Sequence, residues 1–250
     1  MILKDLTGKI RRFVAGRLAA LSTKGNAVAG IGNHCLHLYP PEPGSTPTDR
    51  TMAVFYSGDG GWARLTTHVS KRLQSSGIPV AGIDCMHYFW NEKTAESAAG
   101  DLAALIDHFS AEWQAGQVVL LGYSMGADVL PQIIQKLPQS TRVTITHVVL
   151  MSPSHYGCLK FRFIGWLGFE TPSHYGRALQ PDIDTIAPIP VTFFAGERET
   201  TSLAHSLTST ANAAEFLPGG HHYGSDYETL ADRVLVHINR PAHQRIATSH

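Results

Sequence analysis

The sequence lacks an excess of either charge and contains few cysteines. Its 250 residues include 20 Lys plus Arg and 20 Asp plus Glu, which gives a formal net charge of zero with neutral histidines. A balanced chain with no basic tract has no electrostatic field that attracts polyanions, so we predict no nucleic-acid partner. The 3 cysteines do not define a disulfide framework, and they fit reducing surroundings better than oxidising ones.

Long apolar runs are absent as well. A membrane-spanning helix needs a run of about 18 or more apolar residues, and the sequence has none. Arg17 interrupts the apolar stretch that follows Lys9, Arg11 and Arg12, so we do not expect a cleavable export signal. These features favour a cytoplasmic or membrane-associated location.

Residues 1–25 instead show apolar residues at helical spacing with basic residues between them. This pattern predicts a basic amphipathic helix. Two roles are open for this helix. It packs against the rest of the chain, as such apolar stripes generally do, or it makes peripheral contact with a membrane surface through residues 1–21.

The remaining residues, 26–250, alternate short apolar runs with stretches of helical periodicity. The runs are continuously apolar, as in strands that are buried on both faces of a parallel sheet. We therefore predict a single α/β domain with a mostly parallel, doubly wound sheet. The predicted strands include residues 52–56, 78–83, 118–121, 143–151, 191–195 and 213–217.

Residues 153–188 break this alternation and contain the pentapeptide PSHYG twice. Excursions of this kind between two strands are commonly binding loops or lids. We predict that the segment is a short cap-like insertion facing the substrate.

A glycine-x-serine-x-glycine pattern lies between an apolar run and a helical stretch. Ser124 stands at its centre, with Gly122 and Gly126 on either side. In the nucleophile elbow of α/β hydrolases, a sharp strand-to-helix turn exposes the serine, and the glycines relieve crowding. We therefore predict the α/β-hydrolase fold and a serine esterase with Ser124 as nucleophile. For the pattern alone, the alternative is a turn serine that caps a helix.

A serine nucleophile needs a base and an acid that orients the base. His221 and His222 follow the last predicted strand, and we predict His221 as the base, with His222 as the alternative. Glu199 and Glu197 follow the preceding strand, and we predict Glu199 as the acid, with Glu197 as the alternative. The chain order serine, acid, histidine is the order found in this fold.

The developing oxyanion needs backbone N–H donors. The residue after the nucleophile, Met125, is predicted to supply one, and Asp59 or Gly60 in the glycine-rich loop after the strand at residues 52–56 the other. Nothing in the sequence calls for a cofactor. His34 and His37 would point to opposite faces of a strand, so we predict no metal site there.

Several segments resemble the VirJ/AcvB family of bacterial virulence-associated α/β-hydrolases. The similarity extends over roughly residues 54–236. It is most specific in the segments FYSGDGGW at 55–62, YFW at 88–90, GYSMGADVLP at 122–131, GWLG at 165–168 and GGHH at 219–222.

This resemblance implies hydrolysis of aminoacylated phosphatidylglycerol, the lysyl or alanyl ester, at the outer face of the inner membrane. It thereby implies a periplasmic location as the alternative to the one favoured above. The substrate amine is cationic, so Asp59, Asp84 and Asp128 become candidates for binding it, and Trp62 becomes a candidate substrate contact. Each aspartate could instead cap a helix or bond to the backbone.

Two other functions are open. One is a soluble carboxylesterase or thioesterase that has the same triad and a different pocket. The other is a non-catalytic binding protein of a virulence or secretion system, although a pure binder has no need for three matched catalytic groups.

Overall fold

The computed structural model describes residues 30–43, 47–161, 176–207 and 213–239. The predicted helix at residues 1–25 lies outside the described residues, as does the middle of the predicted cap, residues 162–175. None of the helices within the described ranges is long and apolar enough to cross a bilayer.

The described residues form a main sheet of seven strands and a separate pair of short strands. In chain order, the strands are β1 (Leu36–Tyr39), β2 (Thr51–Tyr56), β3 (Val80–Ile83), β4 (Gln117–Tyr123), β5 (Ile145–Met151), β6 (Tyr156–Gly157), β7 (Arg177–Ala178), β8 (Val191–Gly196) and β9 (Ala213–Leu217). The spatial order in the main sheet is β1-β3-β2-β4-β5-β8-β9. Only β1 runs antiparallel to its neighbour, and all other pairs in this sheet are parallel. The predicted mostly parallel sheet is thus confirmed.

Helices cover both faces of the sheet. They are α1 (Arg64–Ser75), α2 (Cys85–Tyr88), α3 (Ala95–Trp113), α4 (Met125–Ile134), α5 (Gln139–Arg142), α6 (Leu179–Thr185) and α7 (Tyr227–Ile238). Helices α3 and α4 pack on one face of the sheet, and α1 and α7 pack on the other. The sheet is therefore doubly wound, as predicted.

Strand β2 shows why a continuous apolar run becomes a central strand. Met52, Val54 and Tyr56 point into the core beneath α3 and α4, while Ala53 and Phe55 point into the core beneath α1 and α7. Side chains alternate between the two faces of a strand, so a strand that is covered on both sides must be apolar throughout.

The two ends of the predicted cap are held together by β6 and β7. Gly157 pairs with Arg177 in an antiparallel register, and α6 follows directly after β7. Residues 153–188 therefore leave the main sheet after β5 and return to it at β8. That this excursion covers the substrate stays a prediction.

The parallel strands bring several turns to one edge of the sheet. Strands β2, β4, β5, β8 and β9 all end at this edge, because each is parallel to its neighbour. In open α/β sheets, ligands bind in the crevice outside these carboxyl ends. The predicted site residues follow β2, β3, β4, β8 and β9, so the fold gathers them there.

Candidate active site

Ser124 occupies a strained turn between β4 and α4. Its backbone has φ 52° and ψ −118°, a conformation that residues other than glycine rarely adopt. A Cβ on Gly122 would lie 2.6 Å from the backbone nitrogen of Ala127, and a Cβ on Gly126 would lie 2.3 Å from the carbonyl oxygen of Tyr56. Glycine at both flanking positions therefore lets the turn form without a steric clash.

His221 lies between Ser124 and Glu199. Its Nε2 is 3.0 Å from Ser124 Oγ, and its Nδ1 is 2.5 Å from Glu199 Oε1. The imidazole side chain is 41% exposed, whereas that of Glu199 is only 10% exposed. A carboxylate on Nδ1 fixes the tautomer whose Nε2 can accept a proton from the serine.

The charges at the site favour a protonated histidine beside an ionised acid. Burial lowers the pKa of His221, but the hydrogen bond and charge of Glu199, together with the charges of Asp59 and Asp128, raise it above its ordinary value of 6.5. Burial raises the pKa of Glu199, but the hydrogen bonds and charge of its partners, His221 first among them, lower it below 4.5. The imidazolium that would form during proton transfer is therefore stabilised.

The two alternative residues do not reach the serine. His222 is exposed, and its Nδ1 lies 2.7 Å from the hydroxyl of Tyr123. Glu197 is also exposed, and its backbone N–H donates to the carbonyl of Leu217. Of the candidates, the structure brings His221 and Glu199 to Ser124.

The glycine-rich loop after β2 passes directly beside the nucleophile. A Cβ on Gly58 would lie 3.4 Å from the Cβ of Ser124. Asp59 follows immediately and is half-buried, whereas Gly60 is exposed. The loop thus contacts Ser124 at Gly58. Of the two predicted oxyanion donors in the loop, Asp59 is the one next to this contact.

Met125 is the first residue of α4. The first N–H groups of a helix have no acceptor within the helix. The N–H of Met125 also stands at the positive end of the helix dipole, directly after Ser124 in the chain. Its position agrees with the predicted oxyanion contact.

Asp84 has a different place from the one predicted. It is buried, its carboxylate accepts the backbone N–H groups of Trp62 at 3.1 Å and His87 at 3.2 Å, and it lies 3.0 Å from His87 Nδ1. Burial raises the pKa of Asp84, but the bonds to His87 and Trp62 hold it below 3.8. Asp84 therefore anchors the glycine-rich loop to α2, and its predicted role in binding the substrate amine stays a prediction.

Trp62 packs against neighbouring strands, and its predicted contact with a substrate stays a prediction. Its indole N–H donates to the hydroxyl of Tyr39 at 3.1 Å, and its ring stacks on His37 with centroids 4.7 Å apart. The ring also lies against Gly82, where a Cβ would come within 2.0 Å of it. The indole therefore covers β1 and β3, at the side of the sheet away from the histidine and the acid.

Asp128 interacts electrostatically with His221. It stands in the first turn of α4, is half-buried, and accepts the N–H of Ser154 at 2.7 Å. Burial raises its pKa to about 7, against the opposing effect of the bonds from Ser154. Among the three predicted amine-binding aspartates, the charges of Asp59 and Asp128 raise the pKa of His221.

Sequence reasoning missed two residues at the site. The Ser152 hydroxyl donates to Glu199 Oε2 at 2.8 Å, and the Tyr223 hydroxyl lies 2.8 Å from Ser152 Oγ. Neither residue belongs to a recognisable motif. Only their positions could have indicated a role at the site, since Ser152 follows the end of β5 and Tyr223 stands two residues after His221.

Within the described ranges, no group of three or more His, Cys, Asp or Glu residues could hold a metal ion. His34 lies in a 3-10 turn at Asn33–Cys35 rather than on a strand, and His37 is stacked against Trp62. The three cysteines, Cys35, Cys85 and Cys158, are free thiols.

Comparison with solved structures shows the fold. Est1E from Butyrivibrio proteoclasticus is 14% identical with a TM-score of 0.55, and the match covers 84% of this chain and 97% of that chain. The naproxen esterase of Bacillus subtilis is 13% identical with a TM-score of 0.55, covering 82% of this chain and 87% of that one. A putative α/β hydrolase from Agrobacterium tumefaciens is 14% identical with a TM-score of 0.55, covering 86% and 94%. The predicted α/β-hydrolase fold is confirmed.

The family is also defined. The model of the bacterial virulence protein family VirJ matches residues 50–242, and the chain therefore belongs to this family. No curated protein matches the sequence closely.

Proposed function

We propose that this α/β hydrolase is a serine esterase that forms an acyl-enzyme at Ser124. The observation on which the proposal rests is the position of His221, with one ring nitrogen 3.0 Å from Ser124 Oγ and the other 2.5 Å from Glu199. A helix-capping serine has no need for a buried acid aligned behind a neighbouring histidine.

The geometry supports a two-step reaction. Ser124 Oγ attacks the ester carbonyl while His221 Nε2 takes the hydroxyl proton, and the N–H groups of Met125 and Asp59 receive the oxyanion. His221 then gives the proton to the departing alcohol, which leaves an acyl ester on Ser124. A water molecule, deprotonated by His221, releases the acid and restores the serine.

We further propose an aminoacyl ester of phosphatidylglycerol, lysyl or alanyl, as the substrate. Membership of the VirJ family supports this choice. The carboxylates of Asp59 and Asp128 support this choice independently, because their charges raise the pKa of His221. The α-ammonium group of an aminoacyl ester is attached to the carbon next to the reacting carbonyl, so it would lie close to these two carboxylates.

The lipid substrate sets the place of action at a membrane surface. We propose that residues 1–21 provide a peripheral contact with the bilayer. Flotation of the full chain with anionic liposomes, compared with a chain that lacks residues 1–25, tests this contact. Equal flotation of the two proteins would reject it. Labelling intact cells with a membrane-impermeant reagent distinguishes a periplasmic from a cytoplasmic location.

The second candidate is a carboxylesterase or thioesterase that acts on soluble substrates. It is favoured by the fold shared with proteins such as the naproxen esterase of Bacillus subtilis. The third candidate, a non-catalytic binding protein, is disfavoured by the alignment of Ser124, His221 and Glu199.

A fluorophosphonate probe tests the nucleophile. We expect labelling of the wild type and none of Ser124→Ala or His221→Ala, because the probe reacts only with an activated serine. A wild type that is not labelled would favour the binding protein.

Comparing substrates then tests the ester class. Release of free amino acid from lysyl- or alanyl-phosphatidylglycerol supports the lipid-ester proposal. If the wild type is labelled and cleaves p-nitrophenyl butyrate or an acyl thioester but neither lipid, the second candidate replaces the first.

A further inference from the structure

The outer oxygen of Glu199 has its own hydrogen-bond donors. Oε1 faces His221, whereas Oε2 accepts the Ser152 hydroxyl at 2.8 Å and the backbone N–H of Gly196 at 3.3 Å. Ser152 is buried, and its N–H donates to the carbonyl of Phe194 at 2.7 Å. The acid is therefore held from the side opposite the histidine by a side chain that follows β5.

Tyr223 closes this arrangement into a ring. Its hydroxyl lies 2.8 Å from Ser152 Oγ and 3.1 Å from the carbonyl oxygen of Phe194. With the Ser152 proton donated to Glu199, the single Tyr223 proton is shared between these two oxygens. Tyr223 stands two residues after His221 in the same turn. The ring thus runs from Glu199 to Ser152, to Tyr223, along the backbone to His221 and back to Glu199. It fixes the distance between the acid and the base.

The backbone at both hydroxyl residues is unfavourable. Ser152 and Tyr223 each have φ 51°, in the left-handed region that favours glycine. A glycine would be easier to accommodate at either position, and it would have no hydroxyl. Side chains that persist in such conformations are held by the surrounding interactions, and such residues cluster at functional sites.

We propose that Ser152 and Tyr223 are positioning residues of the catalytic acid, holding Glu199 ionised and aligned with His221. The inference rests on the proposed serine-esterase function and adds two residues to its machinery. Ser152 acts by donating a hydrogen bond to the ionised carboxylate, and Tyr223 acts by fixing Ser152 to the turn that holds His221.

The direction of the electrostatic effect follows from the hydrogen bond. A donor to a carboxylate stabilises its charged form, so removal of the Ser152 hydroxyl raises the pKa of Glu199. The carboxylate then becomes a stronger acceptor for His221 Nδ1, which raises the pKa of His221 as well. The ionisable groups that surround His221 are Glu199, Asp59, Asp128, Tyr123 and His222. The substitution removes none of these groups.

The test compares Ser152→Ala with Thr192→Val. Both residues are buried, and both substitutions remove a hydroxyl that bridges β5 and β8, since Thr192 Oγ1 lies 2.9 Å from His147 Nε2. Only Ser152 touches the acid. We expect Ser152→Ala to lower kcat/KM for p-nitrophenyl butyrate by roughly 10- to 100-fold, the effect of losing a hydrogen bond to a charged group. Thr192→Val should keep its activity at the wild-type level in the folded fraction.

The pH profile separates positioning from general damage. In Ser152→Ala, the acidic limb of kcat/KM should move to higher pH, and the His221 imidazole should titrate at higher pH by NMR, its signal assigned by comparison with His221→Gln. Tyr223→Phe should move both readouts in the same direction by a smaller amount. It also provides a second variant if Ser152→Ala does not fold.

An unchanged profile and an unchanged His221 titration in folded Ser152→Ala and Tyr223→Phe would overturn the inference. So would an equal loss of activity in Thr192→Val. A wild type that neither reacts with fluorophosphonate nor cleaves esters would instead overturn the proposed function, and the NMR titration would still report on the ring.

Discussion

The α-carbon of Gly126 lies so close to the carbonyl oxygen of Tyr56 that a Cβ at this position would fall 2.3 Å from that oxygen. The oxygen belongs to the end of β2, a central strand that cannot move without disturbing its neighbours on both sides. The turn that presents Ser124 is therefore packed directly against the sheet.

The first prediction follows from this contact. Gly126→Ala should lower the free energy of unfolding by roughly 1–3 kcal/mol, the usual cost of overpacking. Gly100→Ala is the matched control, because Gly100 is also a helical glycine, is exposed, and has no atom within 4 Å of an added Cβ. It should raise the stability by about 1 kcal/mol. Urea unfolding measures both, and a Gly126→Ala protein as stable as wild type would contradict the packing argument.

The second prediction concerns the strain at Ser124. Ser124→Ala and Ser124→Gly both remove the nucleophile, but only glycine relieves the left-handed φ of 52°. The free energy of unfolding of the glycine variant should therefore be about 1 kcal/mol higher than that of the alanine variant. Equal urea midpoints and slopes for the two inactive proteins would show that the turn is not strained.

The third prediction concerns pH. His221 must be neutral to accept the serine proton, and Glu199 raises its pKa above 6.5, so kcat/KM should fall as the pH drops through a value above 6.5. Glu199→Gln removes the charge, so the acidic limb should move to lower pH. The rate should fall by about 10³- to 10⁴-fold, because the histidine loses its orienting partner. The pH–rate profiles of the two proteins provide the measurement. An acidic limb of the Glu199→Gln profile at the same pH as in the wild type would argue against an ionised Glu199.

The fourth prediction separates the charged substrate from a neutral one. Asp128→Asn should reduce hydrolysis of lysyl-phosphatidylglycerol by roughly 10- to 100-fold through loss of a charged contact, and change hydrolysis of p-nitrophenyl butyrate much less. Asp128 has a pKa of about 7, so the wild-type preference for the cationic ester should grow as the pH rises through 7. An equal loss on both esters would exclude Asp128 as the amine contact.

The fifth prediction tests the structural assignment of Trp62. Trp62→Phe removes the N–H bond to Tyr39 and part of the cover over Gly82, so stability should fall by about 1 kcal/mol. The KM for p-nitrophenyl butyrate should stay at the wild-type value, because the indole is stacked on His37 and bonded to Tyr39. A raised KM at unchanged stability would instead restore Trp62 as a substrate contact.

The sequence was most informative where a motif has one physical explanation. A serine between two glycines at the junction of a strand and a helix is typical of the elbow, and Gly122 and Gly126 proved to be sterically required. The alternation of buried strands and helices likewise predicted the order of the sheet's elements. Helix α5 was not anticipated, because four residues contain too little periodicity to reveal a helix.

Side-chain direction was the part that the sequence could not supply. Glu197 and Glu199 stand in the same short turn. Only the three-dimensional course of this turn, in which the backbone N–H of Glu199 donates to the Gly196 carbonyl, shows that the Glu199 side chain points inward. Asp84 and Trp62 were predicted to contact the substrate, and only the structure shows that the Asp84 carboxylate accepts the N–H of Trp62 and that the Trp62 indole donates to Tyr39. Ser152 follows a strand without any motif, so only the fold brings it to the acid.

Ser124 and His221 lie 97 positions apart in the chain, and this separation has a consequence for the timing of activity. During synthesis, the serine leaves the ribosome well before β8, β9 and the turns that bear Glu199 and His221. Until then its hydroxyl is as inert as that of any exposed serine, because no base stands beside it. Under the proposed mechanism, a chain that ends before the last two strands of the main sheet lacks both the base and the acid, and we expect it not to hydrolyse esters.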